Sequence, residues 1–261
     1  MPSADRIHRG VFDAVADRYD RIRPGYPDGL FADLRRLAGV GPGCRLLEVG
    51  CGTGQATVPL AEAGCRIVAV ELGANLAARA AENLARFPDV TVEVAAFEDW
   101  TPPPEKFDVV FTATAWHWLD PAVRVAKAAS LLRPGGALAI VETEHVAGGT
   151  TAFFEAAQGC YARFDPTCEP DFHLPEDVRP DVSDVDFSGL FTPTITTRHT
   201  HEAWYTAAEY RDLILTYSPS WVIPESNRVG LTGCLADLIG SRFGGRIAKR
   251  YLTLLRLAYH L

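Results

Sequence analysis

Three glycines alternate in Leu46-Leu47-Glu48-Val49-Gly50-Cys51-Gly52-Thr53-Gly54-Gln55, where an aliphatic run ends and a helix must begin. Glycine permits the tight turn and lets the backbone approach a ligand closely. The spacing is Gly-x-Gly-x-Gly, not the Gly-x-Gly-x-x-Gly of dinucleotide-binding loops. Glu48, two residues ahead of the first glycine, would oppose a pyrophosphate held at the helix N-terminus. A ligand carrying an ammonium and a sulfonium suits that carboxylate better. A second acid, Glu71, closes the next aliphatic run about twenty residues beyond the first glycine, where a carboxylate can accept both hydroxyls of a ribose. The alternative for Glu71 is an exposed strand-end acid, and a ribose alone does not name the cofactor.

These residues need a scaffold, and the chain supplies one. Aliphatic runs at 44–49, 66–72, 90–94, 107–113 and 136–142 alternate with segments of helical spacing, the βαβ pattern of a parallel sheet. The clearest intervening helix places Leu76, Ala80, Leu84 and Phe87 on one apolar face. Right-handed crossovers then put helices on both sheet faces and the strand C-termini, with the ligand chemistry, along one edge. Ahead of the sheet, Phe12, Val15 and Tyr19 share a face, and Arg23-Pro24-Gly25-Tyr26-Pro27 breaks the chain before Leu30, Leu34 and Leu37 resume it.

The stretch 164–180 is rich in proline and acid and reads as loop. A helix starts at Thr206, whose spacing to Glu209 is that of a capping box, and buries Tyr210, Leu213, Ile214 and Tyr217. Another amphipathic segment carries Leu231, Leu235 and Leu238, and 195–200 and 251–259 read as strands. The expected organisation is one domain over 1–261. A lid covers 1–38, and the core at 39–144 is completed by strands near 193–201 and 250–259. A cap is drawn from 145–190 and 203–246.

A chain of 261 residues with 48% hydrophobic and 22% charged residues has ordinary globular composition. A net charge of −8 argues against a surface built to neutralise phosphates, so nucleic acid is not an expected partner. The six cysteines show no Cys-x-x-Cys pair and the N-terminus shows no apolar signal segment, which points to a reduced, cytoplasmic setting. No run approaches ~18 apolar residues, so no membrane span is expected.

With Phe107-Asp108-Val109-Val110 and Ala115-Trp116-His117-Trp118 added to the glycine loop and Glu71, the chain resembles the class I S-adenosylmethionine-dependent methyltransferases over about residues 12 to 142. The resemblance implies an α/β fold. Its Rossmann-like seven-stranded sheet is mostly parallel with an antiparallel C-terminal edge, helices cover both faces, and a helical cap sits above. It implies that Glu48 and the loop residues Gly50, Cys51, Gly52, Thr53, Gly54 and Gln55 hold the methionyl part of S-adenosylmethionine. Glu71 would hold the ribose, and Leu72 would pack on the adenine.

Ala96 stands where the family often has an acid for the adenine amino group; backbone groups of Ala96 and Phe97, the Phe97 ring or Glu98 are the substitutes. The segment 112–118, with Ala113, would pass the methionyl backbone. Trp116 would shape the sulfonium site through its ring face, whereas Trp118 reads as a core aromatic. Tyr19 and Arg23 resemble residues that close over the cofactor.

Methyl transfer needs alignment in a water-poor site, and a hydroxyl or amine acceptor also needs a base, for which His117 and Tyr19 are the candidates. The expected partner is a small molecule, touched by His117, His145 and Tyr217. Of the cap aromatics Phe172, Trp204, Tyr210, Tyr217 and Trp221, most are expected in the cap core. His199 and His201, two residues apart on one strand face, lack a third ligand and read as solvent-facing; no metal is expected. Two rival readings share the fold: a non-catalytic S-adenosylmethionine-binding protein and an NAD-dependent oxidoreductase. The sequence names neither the acceptor nor the oligomeric state.

Overall fold

The structure, a computed structural model, describes residue 13 and residues 15–168, 173–178 and 184–261. Phe12 and Phe172 fall outside them. Two helices, α1 (Ala16–Ile22) and α2 (Asp28–Ala38), precede the sheet. Then follow β1 (Arg45–Val49), α3 (Thr57–Glu62), β2 (Arg66–Glu71), α4 (Ala74–Leu84), β3 (Val90–Val94) and β4 (Phe107–Ala113). Helix α5 (Arg124–Leu131) leads into β5 (Leu132–Gly149), followed by α6 (Thr151–Phe164), α7 (Asp184–Phe187) and β6 (Ile195–Thr206). The chain ends with α8 (Ala207–Ile214), α9 (Glu225–Arg242) and β7 (Arg246–Tyr259).

The seven strands form one sheet in the order β3-β2-β1-β4-β5-β7-β6. β1 to β5 pair in parallel, and β7 runs antiparallel to both β5 and β6. The strand order reverses between β1 and β4, so the crevice of an open α/β sheet opens beyond their C-terminal ends.

Alternation along β1 divides the core. Leu46 packs with Leu30, Leu34, Leu60 and Leu84 on one face, while Leu47 and Val49 pack with Trp100, Phe107 and Ile140 on the other. A third cluster joins α6, α8 and α9 through Phe153, Leu213 and Leu235. The N-terminus of α4 has no cap of its own; Asp13 supplies it, accepting from the backbone N–H groups of Asn75 at 2.7 Å and Leu76 at 3.1 Å. The N-terminal segment is thereby tied to the Rossmann core. The Thr206–Glu209 capping box is formed as the spacing predicts.

Three expectations change. The antiparallel edge is longer than the sequence suggests: β5 runs on to Gly149, β6 to Thr206, and β7 begins at Arg246. Part of the expected cap is therefore strand. A register shift between His145 and Gly149 bulges this extension, with Gly148 and Gly149 at φ 125° and 65°. His199 and His201 do not face solvent, because α2 and the cap cover that face of β6. His199 hydrogen-bonds Asp33 at 2.9 Å, and His201 stacks on Tyr251 with ring centroids 5.4 Å apart. Cys160 and Cys234 are joined in a disulfide between α6 and α9, which their spacing does not announce and which counts against the reduced setting expected.

Candidate active site

The glycine loop leaves β1 in left-handed conformations, with φ 72° at Gly50 and 59° at Gly52. At Gly50 a Cβ would also lie 2.5 Å from the Ala115 side chain, so close packing of the β1 and β4 tips demands glycine there. Glu71, at the tip of β2, spans this turn: Oε2 accepts from Gly52 N and Oε1 from Gly73 N, each at 2.9 Å. Burial raises its pKa against the pull of these N–H donors. On the neighbouring tip Thr114 holds φ 55°, unusual for a β-branched residue. Its hydroxyl donates to Ala113 O at 2.8 Å and lies 3.5 Å from the Tyr26 hydroxyl.

These tips open into a cavity of about 680 Å³ that extends under the N-terminal helices and the cap, within the range of small-molecule sites. Of the predicted cofactor residues, Tyr19, Gly50, Gly52, Gln55, Glu71, Leu72, Ala96, Phe97, Glu98 and Ala113 line it. His117, His145 and Tyr217, predicted for substrate, line it as well.

Five predicted residues do not line it. Glu48 is buried on the side of β1 beneath the loop, and burial, foremost, with the Glu71 charge pushes its pKa up to about 8. Cys51 and Thr53 are buried within the turn, and Gly54 backs onto Leu84 and Thr57. Trp116 is buried under Arg124, whose guanidinium lies 5.1 Å from its ring centre, and its indole N–H faces Asp184 at 3.5 Å. Trp118, expected in the core, lines the cavity instead. The 3₁₀ turn Trp116–Trp118 explains the exchange, since it turns successive side chains through about a third of a revolution.

A stack of rings and cations crosses the cavity. The Arg23 guanidinium lies 4.9 Å from the Tyr19 ring centre and 4.5 Å from that of Tyr217. Tyr217 in turn accepts a hydrogen bond from Lys249 Nζ at 2.9 Å. Burial works to raise the Tyr217 pKa, but Lys249 and Arg23 outweigh it and hold the hydroxyl below its usual value. His117 keeps one edge open to solvent, yet burial of the rest lowers its pKa. His145 packs edge-on against Phe154, and burial with the Lys249 charge brings its pKa down to about 2. Both imidazoles are neutral near pH 7.

Lys249 is missed because it lies on the unforeseen extension of β7, Tyr251 because it stands at the very start of the expected strand, and Tyr26 because it sits in a proline-broken segment. Of the four described cap aromatics, Tyr210 is cap core, Trp204 is exposed on β6 with Arg246 over its ring, Trp221 lies under Arg228, and only Tyr217 lines the cavity.

An S-adenosyl cofactor can be tested against these residues. Gln55 Nε2 is a buried donor without a partner among the described residues, which fits a methionyl carboxylate. Each Glu71 oxygen accepts one backbone N–H, which leaves lone pairs for ribose hydroxyls. The residues fit.

Residues 46–136 match the family described as methyltransferase domain. The chain is 34% identical over 132 residues to an uncharacterized methyltransferase of Mycobacterium tuberculosis, covering 50% of this chain and 51% of that one. It is 32% identical over 160 residues to the 27-O-demethylrifamycin SV methyltransferase of Amycolatopsis mediterranei, covering 53% of this chain and 58% of that one. The chain thus spans about half the length of the curated relatives it matches. A solved structure from Anaeromyxobacter dehalogenans, assigned to the type II methyltransferases, superposes with a TM-score of 0.61 at 26% identity, covering 90% of this chain and 97% of that one. Residues 46–136 are thus similar to the methyltransferase-domain family, and the seven-stranded sheet with its antiparallel C-terminal edge is the scaffold that carries them.

Proposed function

We propose that the whole protein is an S-adenosylmethionine-dependent methyltransferase acting on a small molecule. The observation that carries this reading is the continuity of one cavity from the Gly52–Glu71 turn to the aromatic and cationic residues under the cap. The cofactor supplies a methyl group on a positive sulfur, which needs no covalent help from the protein.

The chain's residues bind, orient and exclude water. Glu71 holds the ribose, and Leu72, Ala96, Phe97 and Glu98 enclose the adenine. Gln55, Tyr19 and Arg23 meet the methionyl carboxylate. The segment Ala113–Ala115 flanks the methionyl chain, with Cys51, Thr53 and Gly54 shaping the turn from behind and Glu48, kept protonated by its burial, packed beneath it. Where the acceptor is a hydroxyl or amine, neutral His117 takes the proton, with Tyr19 the alternative. His145 and Tyr217 contact the acceptor.

We read 1–261 as a single domain with its lid at 1–38 and a cap drawn from α6, α8 and α9. Nucleic acid is disfavoured by the charge of −8. Among the described residues no helix is long and apolar enough to cross a membrane. A cytoplasmic setting rests on the sequence alone, and the joined pair Cys160–Cys234 counts against it.

Isothermal titration with S-adenosylmethionine, S-adenosylhomocysteine and NADPH, repeated on Glu71→Ala, tests the reading. Micromolar binding of the first two, weakened at least about tenfold in the variant, supports it. Binding of NADPH alone would sink it in favour of an oxidoreductase.

A further inference from the structure

The far end of the cavity is built on the extended, bulged ends of β5 and β7. Thr143 stands opposite Thr253 and His145 opposite Tyr251, so Thr143, His145, Lys249 and Tyr251 share one sheet face. Lys249 is only 5% exposed and lines the cavity. Its ammonium donates to the Tyr217 hydroxyl and lies 4.9 and 5.0 Å from the ring centres of Tyr217 and Tyr251. Among the described residues no carboxylate comes within 4.0 Å of it.

Two ring faces and a phenol oxygen compensate a desolvated ammonium only in part, because a buried charge is normally paired. Thr143 Oγ1 and His145 Nε2 line the same end, buried and without partners among the described residues. Two acids, Glu144 and Asp165, also line the cavity, but neither comes within 4.0 Å of the Lys249 ammonium. Asp165 Oδ1 accepts from the Thr167 N–H and hydroxyl, and Glu144 is exposed. This end of the cavity therefore offers a cation and hydrogen-bonding groups with no carboxylate of the described residues in ion-pair reach of that cation.

We propose that Lys249, with Thr143 and His145 beside it, seats an oxyanion of the methyl acceptor, so that the substrate is a small organic acid carrying a carboxylate or phosphate. Ile214, Ile223 and Leu231 line the cavity nearby and receive its apolar part. The Lys249 ammonium gives the oxyanion its charge partner. Thr143 donates its hydroxyl, and neutral His145 donates from whichever ring nitrogen carries hydrogen. The inference rests on the methyltransferase reading of the cavity's other end.

The test is calorimetric. S-adenosylhomocysteine is titrated first, and the saturated protein is then titrated with phenylacetate, phenyl phosphate and the neutral phenylacetamide. At least one anion is expected to bind about tenfold or more tightly than the amide, and which one identifies the acid. Lys249→Met abolishes the preference, Lys249→Arg retains it, and S-adenosylhomocysteine binding is the same in all three proteins. Equal binding of the amide, no binding of either anion at millimolar concentration, or a preference surviving in Lys249→Met overturns the proposal. The comparison of anion with amide on the unaltered protein decides even where Lys249→Met does not fold. Failure of S-adenosylhomocysteine to bind counts against the methyltransferase reading instead, and the probes are then titrated without it.

Discussion

Arg23 spends two donors on one distant residue: Nε donates to Thr216 Oγ1 at 2.9 Å and Nη2 to Thr216 O at 2.7 Å. The pair joins the segment between α1 and α2 to the turn after α8, and so ties the lid to the cap beside the Arg18–Asp212 ion pair at 3.3 Å. Arg23→Lys keeps the charge but offers no planar fork. It is expected to cost about 1–3 kcal/mol in urea unfolding and to weaken S-adenosylhomocysteine severalfold by calorimetry. An unchanged unfolding midpoint would show that the lid and cap are held elsewhere.

Trp116 and Trp118 are neighbours with opposite surroundings. Only Trp118 lines the cavity, so S-adenosylhomocysteine should change the fluorescence of the protein and of Trp116→Phe, and change that of Trp118→Phe much less. Trp116→Phe should instead lower the thermal midpoint, because its contacts with Arg124 and Asp184 are internal.

Stability should fall at both ends of the pH range. Glu48 has its folded pKa pushed up to about 8 from 4.5, so its contribution is fully present below pH 4.5 and is lost as pH rises through 8. His145 is depressed to about 2 from 6.5, so its contribution is present above pH 6.5 and is lost as pH falls toward 2. Unfolding free energies from urea titrations at stepped pH should show Glu48→Gln flattening the alkaline fall and His145→Gln the acid one. A Glu48→Gln profile that parallels the original between pH 4.5 and 8 would refute the assignment.

The Cys160–Cys234 bond closes a sequence separation of 74 residues across α6 and α9. Cys160→Ala/Cys234→Ala should lower stability by about 2–4 kcal/mol, and reductant should lower the midpoint of the original protein but not of this variant. Mass spectrometry after thiol labelling without reduction should find Cys160 and Cys234 protected.

What could be read from the chain follows the range of the interactions involved. The turn at Gly50 and Gly52, Glu71 at the tip of β2, the face of Leu76, Ala80 and Leu84, and the Thr206–Glu209 box are all set within a few residues, and each is where the pattern placed it. His199 misled because alternation along β6 does not reveal that α2 would lay Asp33 against it. Lys249 was hidden because the first residues of β7, paired there with β6, have no signature distinct from the segment around them, and Tyr251 because the expected strand did not show which residues it would face. Trp116 and Trp118 exchanged places because a short 3₁₀ turn cannot be phased from four residues. Cys160 and Cys234 meet only after α6 and α9 have packed.

The bulge between His145 and Gly149 separates two kinds of inheritance. The cofactor end depends on the tips of β1, β2 and β4, while the far end rides on the extensions of β5 and β7. Strand side chains alternate, so a change of two residues in an extension preserves which groups face inward, and a change of one exchanges Lys249 and Tyr251 for Ala248 and Arg250. Acceptor choice in such a scaffold can drift by even steps without disturbing the methyl donor. An odd step replaces the interior wholesale, which makes the parity of this arm the variable to follow when homologous chains are compared.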